Sequence, residues 1–152
     1  MQEISLNGIV TMNAGDYFEL PLYAYTKAED NSGMLVPLKY SDIFDKKVDT
    51  ELWFSIVEPF QPFEHGVVRK KVNKDTVYRT KRKEINKDGQ EIYIDNEDLF
   101  IILNSSDTMD LLPGTYYYEV KLVEKTTSEN NHLCADGFKI NTIIPRRKFF
   151  IL

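Results

Sequence analysis

The sequence predicts an all-β fold, an antiparallel sandwich of about eight to ten short strands. Three observations lead to this prediction. Apolar and polar residues alternate with a period of two in several segments, turn signals separate those segments at near-regular spacing, and no segment has the period of a long amphipathic helix. The chain also contains nine Tyr, nine Phe and one Trp, which are residue types that favour a half-buried pleated surface.

Length and composition fit a single domain. The chain has 152 residues, of which 42% are hydrophobic, and a domain of this size buries roughly 70% of the surface that its unfolded chain exposes. There is no internal repeat and no segment with the composition of a linker. We therefore expect residues 1–152 to form one β-sandwich domain.

Two strands are predicted near the N-terminus. The apolar members of the first are Ile4, Leu6, Gly8, Val10 and Met12. Residues 13–16 have the residue types of a turn and lead to a second strand over residues 17–25. Its inward face carries Phe18, Leu20, Leu22 and Ala24. The polar residues 26–39 are interpreted as a surface loop.

The middle of the chain contains the candidate for a central strand. Residues 41–45 are predicted to form one helical turn. Residues 51–58 are apolar on nearly both faces, which is typical of a strand covered on both sides, and Trp53 is expected in the middle of the core. Residues 59–64 contain two prolines that cannot donate to a ladder, so this segment is predicted to cross from one sheet to the other.

Turn signals organise the next part of the chain. The Asp-Gly pair in residues 87–90 is typical of a tight hairpin turn, which joins a charged ribbon to residues 92–94. Residues 99–103 are predicted to form a buried strand, and residues 107–112 a single turn over the end of the sandwich. Pro113 and Gly114 have the residue types of a type II turn.

The last third of the chain is predicted to end on strands. Residues 116–123 form the clearest strand, with Tyr116, Tyr118, Val120 and Leu122 on one side. A tyrosine soon after a turn of this kind often bonds back to the chain. Residues 126–131 are interpreted as a hairpin tip and residues 138–144 as the next strand. Pro145 is expected to break that strand before a final one ends the chain.

The sequence contains no candidate secretory signal or membrane span. No basic region leads into an apolar run at the N-terminus, and the longest strongly apolar stretch is residues 99–103. The single cysteine, Cys134, cannot form an intramolecular disulfide, so it is interpreted as a packing or surface residue. We expect the core alone to stabilise the fold in a reducing cytoplasm.

Charge is distributed unevenly. The whole chain carries −5, but residues 69–83 carry +7 and the remainder therefore −12. The basic residues are Arg69, Lys70, Lys71, Lys74, Arg79, Lys81, Arg82 and Lys83. Such a segment can orient an acidic partner, so we interpret it as a possible protein-docking patch. Plain solvation of a protected sheet edge is the competing interpretation, and nucleic acid is the least favoured partner.

No motif in the sequence indicates catalysis or a cofactor. His65 and His132 have no partner at metal-ligand spacing, and in the acidic cluster Asp95-Asn96-Glu97-Asp98 Phe100 lies where a calcium loop requires glycine. There is no phosphate-binding loop and no nucleophile elbow. We therefore expect a protein without catalytic, cofactor-binding or metal-binding residues.

Three strings resemble small virion proteins of tailed phages that infect Gram-positive bacteria. They are GIVTMNAGD (residues 8–16), EPFQPFE (58–64) and LPGTYYYEVKL (112–122). More loosely, one order of features is similar to the immunoglobulin-like N-terminal module of phage upper baseplate proteins: two strands separated by Gly-Asp, then Leu-x-Pro-Gly-x-Tyr-Tyr-Tyr-Glu, Thr-Ile-x-Pro and Phe-x-Ile. The resemblance implies an immunoglobulin-like sandwich that attaches other virion proteins to a tail, as a ring or another homo-oligomer, in particles assembled in the bacterial cytoplasm. No membrane is implied.

Other functions remain open from the sequence. The baseplate module is followed by a receptor-binding part, whereas this chain ends at Leu152, so capsid decoration or a head–tail connection is an alternative. A carbohydrate-binding sandwich with exposed Tyr or Trp is a second alternative. An enzyme is the third.

Overall fold

The computed structural model describes residues 2–45, 48–125 and 137–152. Strands make up 49% of these residues and helices 9%. The prediction of a mostly β fold is therefore confirmed.

The described residues form twelve strands and three short helices. The strands are β1 (Glu3–Ile4), β2 (Val10–Met12), β3 (Phe18–Pro21), β4 (Tyr25–Lys27), β5 (Leu35–Pro37), β6 (Thr50–Val57), β7 (Val68–Val72), β8 (Lys81–Ile85), β9 (Glu91–Asp95), β10 (Phe100–Leu103), β11 (Gly114–Lys125) and β12 (Phe138–Ile151). The helices are α1 (Tyr40–Phe44), α2 (Ser105–Thr108) and a 3₁₀ helix (Phe63–His65).

The largest sheet has six strands in the order β1-β2-β12-β11-β6-β7. Its neighbours are antiparallel except β12 and β2, which run parallel. Three antiparallel pairs accompany it: β10 with β3, β4 with β5, and β8 with β9. The edges of the large sheet are β1 and β7.

One hydrophobic cluster joins the large sheet to the β3–β10 pair and α1. From the large sheet, the Tyr118 ring lies 6.0 Å from the Phe54 ring and 6.1 Å from the Phe149 ring. Leu20 of β3 and Ile101 of β10 are likewise buried in this cluster. These buried side chains supply the main favourable free energy of folding.

The predicted faces of two strands are confirmed. In the strand predicted over residues 17–25, Phe18, Leu20, Leu22 and Ala24 are buried. In the strand predicted over residues 116–123, the buried positions are Tyr116, Tyr118, Val120 and Leu122. The predicted bond from a tyrosine back to the chain is also present, since the Tyr116 hydroxyl donates to the Leu112 carbonyl at 2.8 Å. Helix α1 coincides with the helical turn expected at residues 41–45.

Tyr118 links β11 to the N-terminal turn. Its hydroxyl donates to the Gly8 carbonyl, and burial raises the pKa of this hydroxyl, although the nearby Arg147 acts in the opposite direction. Gly8 has φ +83°, and a Cβ there would lie 2.5 Å from Arg147 Nη1. Arg147 itself donates to the Tyr23 carbonyl at 3.0 Å. Only glycine fits this junction without displacing its neighbours.

The expectation that Trp53 lies in the middle of the core was wrong. Successive side chains of a strand point to opposite faces, and Leu52 and Phe54 point into the core. Trp53 therefore lies half-buried on the outer face, with Lys71 Nζ 4.1 Å from its ring centroid. Its indole Nε1 is buried without a hydrogen-bond partner among the described residues.

The prediction that residues 59–64 cross between sheets was also wrong. This segment returns the chain from β6 to β7, which are antiparallel neighbours in one sheet. The buried Ser55 hydroxyl donates to the Phe63 carbonyl at 2.8 Å, and the Val67 N–H donates to the Ile56 carbonyl at 2.8 Å. These bonds fold the proline-containing segment back over its own sheet.

Two N-terminal predictions need correction. The first strand is divided into β1 and β2, because the Gly8 N–H donates to the Ser5 carbonyl and closes a tight turn at Leu6 and Asn7, which leaves Leu6 96% exposed. Residues 26–39 are not only loop, since β4 and β5 pair within them and positive φ angles at Asn31 and Gly33 make their turn.

Later boundaries also differ from the predictions. Helix α2 begins at Ser105, two residues before the predicted turn, where the Asp107 carboxylate accepts from the Asn104 N–H at 2.7 Å. Gly114 starts β11 with φ 158°, far from the roughly +80° of a type II turn. Pro145 does not break β12, because it lies at a bulge in the ladder with β11. The predicted hairpin tip at residues 126–131 lies outside the described residues.

Candidate protein-docking surface

The β8–β9 hairpin is the candidate functional site, defined here as β8, β9 and the turn between them. Within the described residues, each of its strands pairs only with the other. The predicted turn is present. Gly89 has φ +76°, and its N–H donates to the Asn86 carbonyl at 3.1 Å. Nine of its ten strand residues are exposed, and only Ile94 is half-buried. The hairpin therefore projects from the body.

The base of the hairpin is held by Arg79. Its guanidinium lies 3.6 Å from the Tyr40 ring centroid and donates twice to the Asn96 carbonyl, at 2.8 and 3.2 Å. It also forms ion pairs with Asp95 at 3.3 Å and Glu97 at 3.8 Å. A planar guanidinium suits such combined stacking and two-point bonding. The projecting strands therefore extend from a base that these contacts hold in place.

Glu97 connects this base to helix α1. The Ser41 N–H donates to the Glu97 carboxylate at 2.9 Å. This hydrogen bond, helped by the charges of Arg79 and Lys39, lowers the pKa of Glu97 below its ordinary value. The carboxylate is therefore ionised at neutral pH and ties the hairpin base to the body.

Exposed apolar side chains distinguish the hairpin from an ordinary solvated ribbon. Ile85 is 72% exposed and Tyr93 68%. Both project from the same face of the hairpin. Tyr93 lies opposite Lys83 in the ladder, and Ile85, two residues after Lys83 on β8, points to the same side as Lys83. Such side chains gain free energy when a partner covers them.

The eight basic residues of the predicted docking patch occupy two places. Arg69, Lys70 and Lys71 lie on the edge strand β7, with Lys74 just beyond it, whereas Arg79, Lys81, Arg82 and Lys83 lie at or in the hairpin. The structure does not bring all eight together into one contiguous segment of sheet. Whether they bind an acidic protein surface stays a prediction.

Several of these cations already have acidic neighbours. Lys70 lies 2.7 Å from Asp107 and Lys83 2.8 Å from Glu91. Arg82 lies 2.8 Å from Glu84. The positive field expected from the sequence is therefore reduced by acids that the fold supplies from α2 and from the hairpin itself.

Phe60 is a second exposed feature that the sequence analysis missed. The Gln61 N–H donates to the Glu58 carbonyl at 3.2 Å, and Phe60 has φ +66° and is fully exposed. Pro59 followed by a residue with positive φ matches a type II turn, where glycine is the usual second residue. The proline before Phe60 was the available signal.

A cleft of about 490 Å³ lies between β3, β5 and β10. Tyr23 and Tyr25 line it together with apolar residues such as Leu22 and Leu99, and Asp98 contributes a carboxylate. Tyr25 is 53% exposed. An aromatic cleft with one polar group is a common form of small-ligand site.

The described residues hold no group of three or more His, Cys, Asp or Glu side chains arranged for a metal ion. His65 is exposed at the end of the 3₁₀ helix, and Asp95 and Glu97 of the acidic cluster pair with Arg79. None of the described helices has the length and hydropathy needed to cross a bilayer. His132 and Cys134 lie outside the described residues.

Comparison with models of known protein families, with curated proteins and with solved structures finds no match to this chain. The arguments about function therefore rest on its own residues.

Proposed function

We propose that this chain is a non-catalytic structural protein that works by contact with other proteins, and that the β8–β9 hairpin is its principal contact. The observation that carries this proposal is a hairpin with a fixed base whose otherwise charged strands expose the apolar side chains Ile85 and Tyr93. A two-stranded hairpin alone is marginally stable in water. Covering Ile85 and Tyr93 with a partner would stabilise it.

Aromatic and apolar anchors of this kind are common at protein interfaces. Interface cores are enriched in Tyr and other aromatic residues, and charges lie at the rim. Tyr93 and Ile85 have this setting, since Lys81, Lys83 and Glu91 surround them on the same face. The hairpin thus has the composition of a small docking element.

The finer proposal for the fold is an immunoglobulin-like sandwich. Its support is the order β12-β11-β6-β7, which corresponds to strands G, F, C and C′ of such folds, with β3 and β10 as B and E. The Tyr116 bond to Leu112 corresponds to the tyrosine corner at the start of strand F. One departure is that Trp53, on the strand that corresponds to C, lies on the outer face.

We propose that the contacts are made in a phage particle, in the tail or baseplate. This step rests on the sequence resemblance of residues 8–16, 58–64 and 112–122. Capsid decoration and a head–tail connection are alternative positions. Mass spectrometry of purified particles from the phage that encodes the chain tests the step: recovery in stoichiometric amount supports it, and absence from intact particles overturns it.

A paired substitution tests the docking role of the hairpin. In Ile85→Thr/Tyr93→Thr both apolar side chains are replaced by a strand-compatible polar residue. We expect this variant to fold normally but to incorporate into particles at least about tenfold less well, since interface aromatics often contribute 1–2 kcal/mol or more. Incorporation is measured by competition with wild-type chain during assembly.

The matched control is Leu35→Thr, because Leu35 of β5 is 65% exposed. It removes a comparable exposed apolar side chain from another part of the surface. Equal incorporation of wild-type, control and hairpin variants would overturn the docking role. A loss shared by the control would show that surface hydrophobicity in general is responsible.

A carbohydrate-binding function is the second candidate, and the tyrosine-lined cleft favours it. Tyrosine rings can pack on sugar rings, and the Asp98 carboxylate can accept hydrogen bonds from sugar hydroxyls. Binding on a glycan array that is lost in Tyr25→Ala would support this candidate. Absence of binding by the wild-type chain would reject it.

A further inference from the structure

Among the residues that the structure describes, neither outer edge of the β8–β9 hairpin pairs with another strand. The Asn86 N–H donates to the Gln90 carbonyl at 2.9 Å and the Asn96 N–H donates to the Thr80 carbonyl at 2.8 Å. These bonds show which residues of the ladder direct their backbone groups toward the partner strand. Paired and outward-facing residues alternate in an antiparallel ladder. The outward-facing backbone groups therefore belong to Lys81, Lys83 and Ile85 on β8 and to Glu91, Tyr93 and Asp95 on β9.

These two edges carry opposite charge. Strand β8 (KRKEI) has three cations and one anion, whereas β9 (EIYID) has two anions and no cation. Two β8 edges brought together would place cations near cations, and two β9 edges anions near anions, which is destabilising. A β8 edge beside a β9 edge places opposite charges across the new ladder. Unlike edges are thus the complementary pair.

We propose that the β8 edge of one copy pairs with the β9 edge of a second copy as an antiparallel ladder. This inference rests on the proposed function, because it names a second copy of the chain as a partner of the docking hairpin. In the register of the hairpin itself, Lys81 of one copy lies opposite Asp95 of the next, and Lys83 opposite Tyr93. Pairing supplies the additional strands that an isolated hairpin lacks.

The pairing leads to a ring or a filament of copies. Because it joins unlike edges, each copy retains one free edge of each kind, and such a head-to-tail contact repeats until it closes or forms a filament. Two strands advance a sheet by about 9.6 Å, whereas a body of this length is about 38 Å across. The hairpins must therefore converge on an axis with the bodies spread around it.

Charge exchange between the two strands tests the pairing. One variant carries Lys81→Glu/Lys83→Glu and a second carries Glu91→Lys/Asp95→Lys. Each has edges of like charge, so we expect each alone to be monomeric by sedimentation velocity at concentrations where the wild-type chain forms oligomers. An equimolar mixture has complementary edges between copies, so we expect it to form oligomers again.

The mixture separates pairing between copies from damage within one hairpin. The Lys83–Glu91 ion pair is lost inside each variant, and mixing cannot restore it. If the mixture remains monomeric, pairing between copies is overturned. The variant with all four substitutions restores the ion pair between positions 83 and 91 and the charge complementarity between copies, although it loses the Arg79–Asp95 ion pair at the base, so we expect it to form oligomers again.

A backbone variant tests the ladder without reversing charge. Lys83→Pro removes an outward N–H and leaves the ladder within the hairpin intact, whereas Lys83→Gln removes the charge and keeps the N–H. We expect self-association of the proline variant to be at least about tenfold weaker than that of the glutamine variant. Equal self-association of the two variants would contradict the ladder.

The outcomes also separate this inference from the proposed function. A wild-type chain that remains monomeric, while Ile85→Thr/Tyr93→Thr still reduces incorporation into particles, overturns pairing between copies and leaves docking onto another protein standing. Normal incorporation of that variant overturns the docking role itself.

Discussion

The body and the β8–β9 hairpin are stabilised by different means. In the body, Phe54, Tyr118 and Phe149 are almost completely buried, and the Tyr118 ring packs against the other two rings. In the hairpin, Ile85 and Tyr93 are largely exposed, and the strands are held by their own ladder and by the base. One chain thus combines a core that buries its own apolar side chains with an element that leaves them exposed, and these exposed side chains are the ones that we propose a partner covers.

The largest expected effect compares a core ring with a hairpin ring. Phe54→Ala removes a fully buried ring and should lower the free energy of unfolding by about 3–5 kcal/mol. Tyr93→Ala should change it by less than about 0.5 kcal/mol, because an exposed side chain loses little packing. Urea unfolding of both variants measures the difference. Equal losses in the free energy of unfolding would contradict the proposed difference between body and hairpin.

The junction at Gly8 should show the next largest effect. Gly8→Ala forces an alanine into φ +83° and places its Cβ 3.0 Å from the Tyr118 hydroxyl, within the body. We expect a loss of more than about 1 kcal/mol in the free energy of unfolding. The control is Gly89→Ala, where a Cβ meets nothing within 4 Å and only the backbone cost at φ +76° applies. A larger loss in the control would contradict the packing argument.

Replacing Phe60 should make the chain more stable. Phe60→Gly relieves roughly 1–2 kcal/mol of left-handed backbone cost and loses about 0.4–1 kcal/mol to the greater freedom of the unfolded chain. The expected net gain, about 0.8 kcal/mol, is measured by thermal or urea unfolding. Phe60→Ala keeps the backbone cost and should not be stabilised. A clear loss of stability in the glycine variant would show that Phe60 contributes packing.

Acid should loosen the hairpin base before the body. The pKa of Glu97 is lower in the folded chain than its ordinary value of 4.5. The bonds of its carboxylate therefore stabilise the fold fully above pH 4.5, and this stabilisation is lost as the pH falls through the lower pKa of the folded chain. The Glu97 side chain is 45% exposed, so the effect on global stability is small. NMR shifts of the Ser41 N–H, which donates to the Glu97 carboxylate, measure it between about pH 6 and 3, and Glu97→Gln should abolish the change.

The body could be predicted from the sequence better than the docking surface. Alternation placed Phe18, Leu20, Tyr116 and Tyr118 on buried faces, because strand periodicity is a local property. Trp53 was misplaced because a strand that is apolar on both faces gives no sign of which face meets the core. Pro145 was misread because a bulge depends on the neighbouring strand.

The candidate site was predicted only in part. The Asp-Gly turn identified the ribbon, but the acid beside Lys70 comes from another segment, α2, and the acid beside Lys83 comes from across the ladder. Their contacts depend on register and tertiary position, which local patterns do not specify. The exposure of Ile85 and Tyr93 follows from what the rest of the chain leaves uncovered, so no local pattern indicates it.

Amide hydrogen exchange of the full chain tests the central contrast most directly. At concentrations where the chain is monomeric, amides of β8 and β9 should exchange at least about a hundredfold faster than those of β6 and β11. In assembled particles or oligomers the hairpin amides should become protected. Equal protection of hairpin and body in the monomer would contradict the account, because the hairpin would then need no partner.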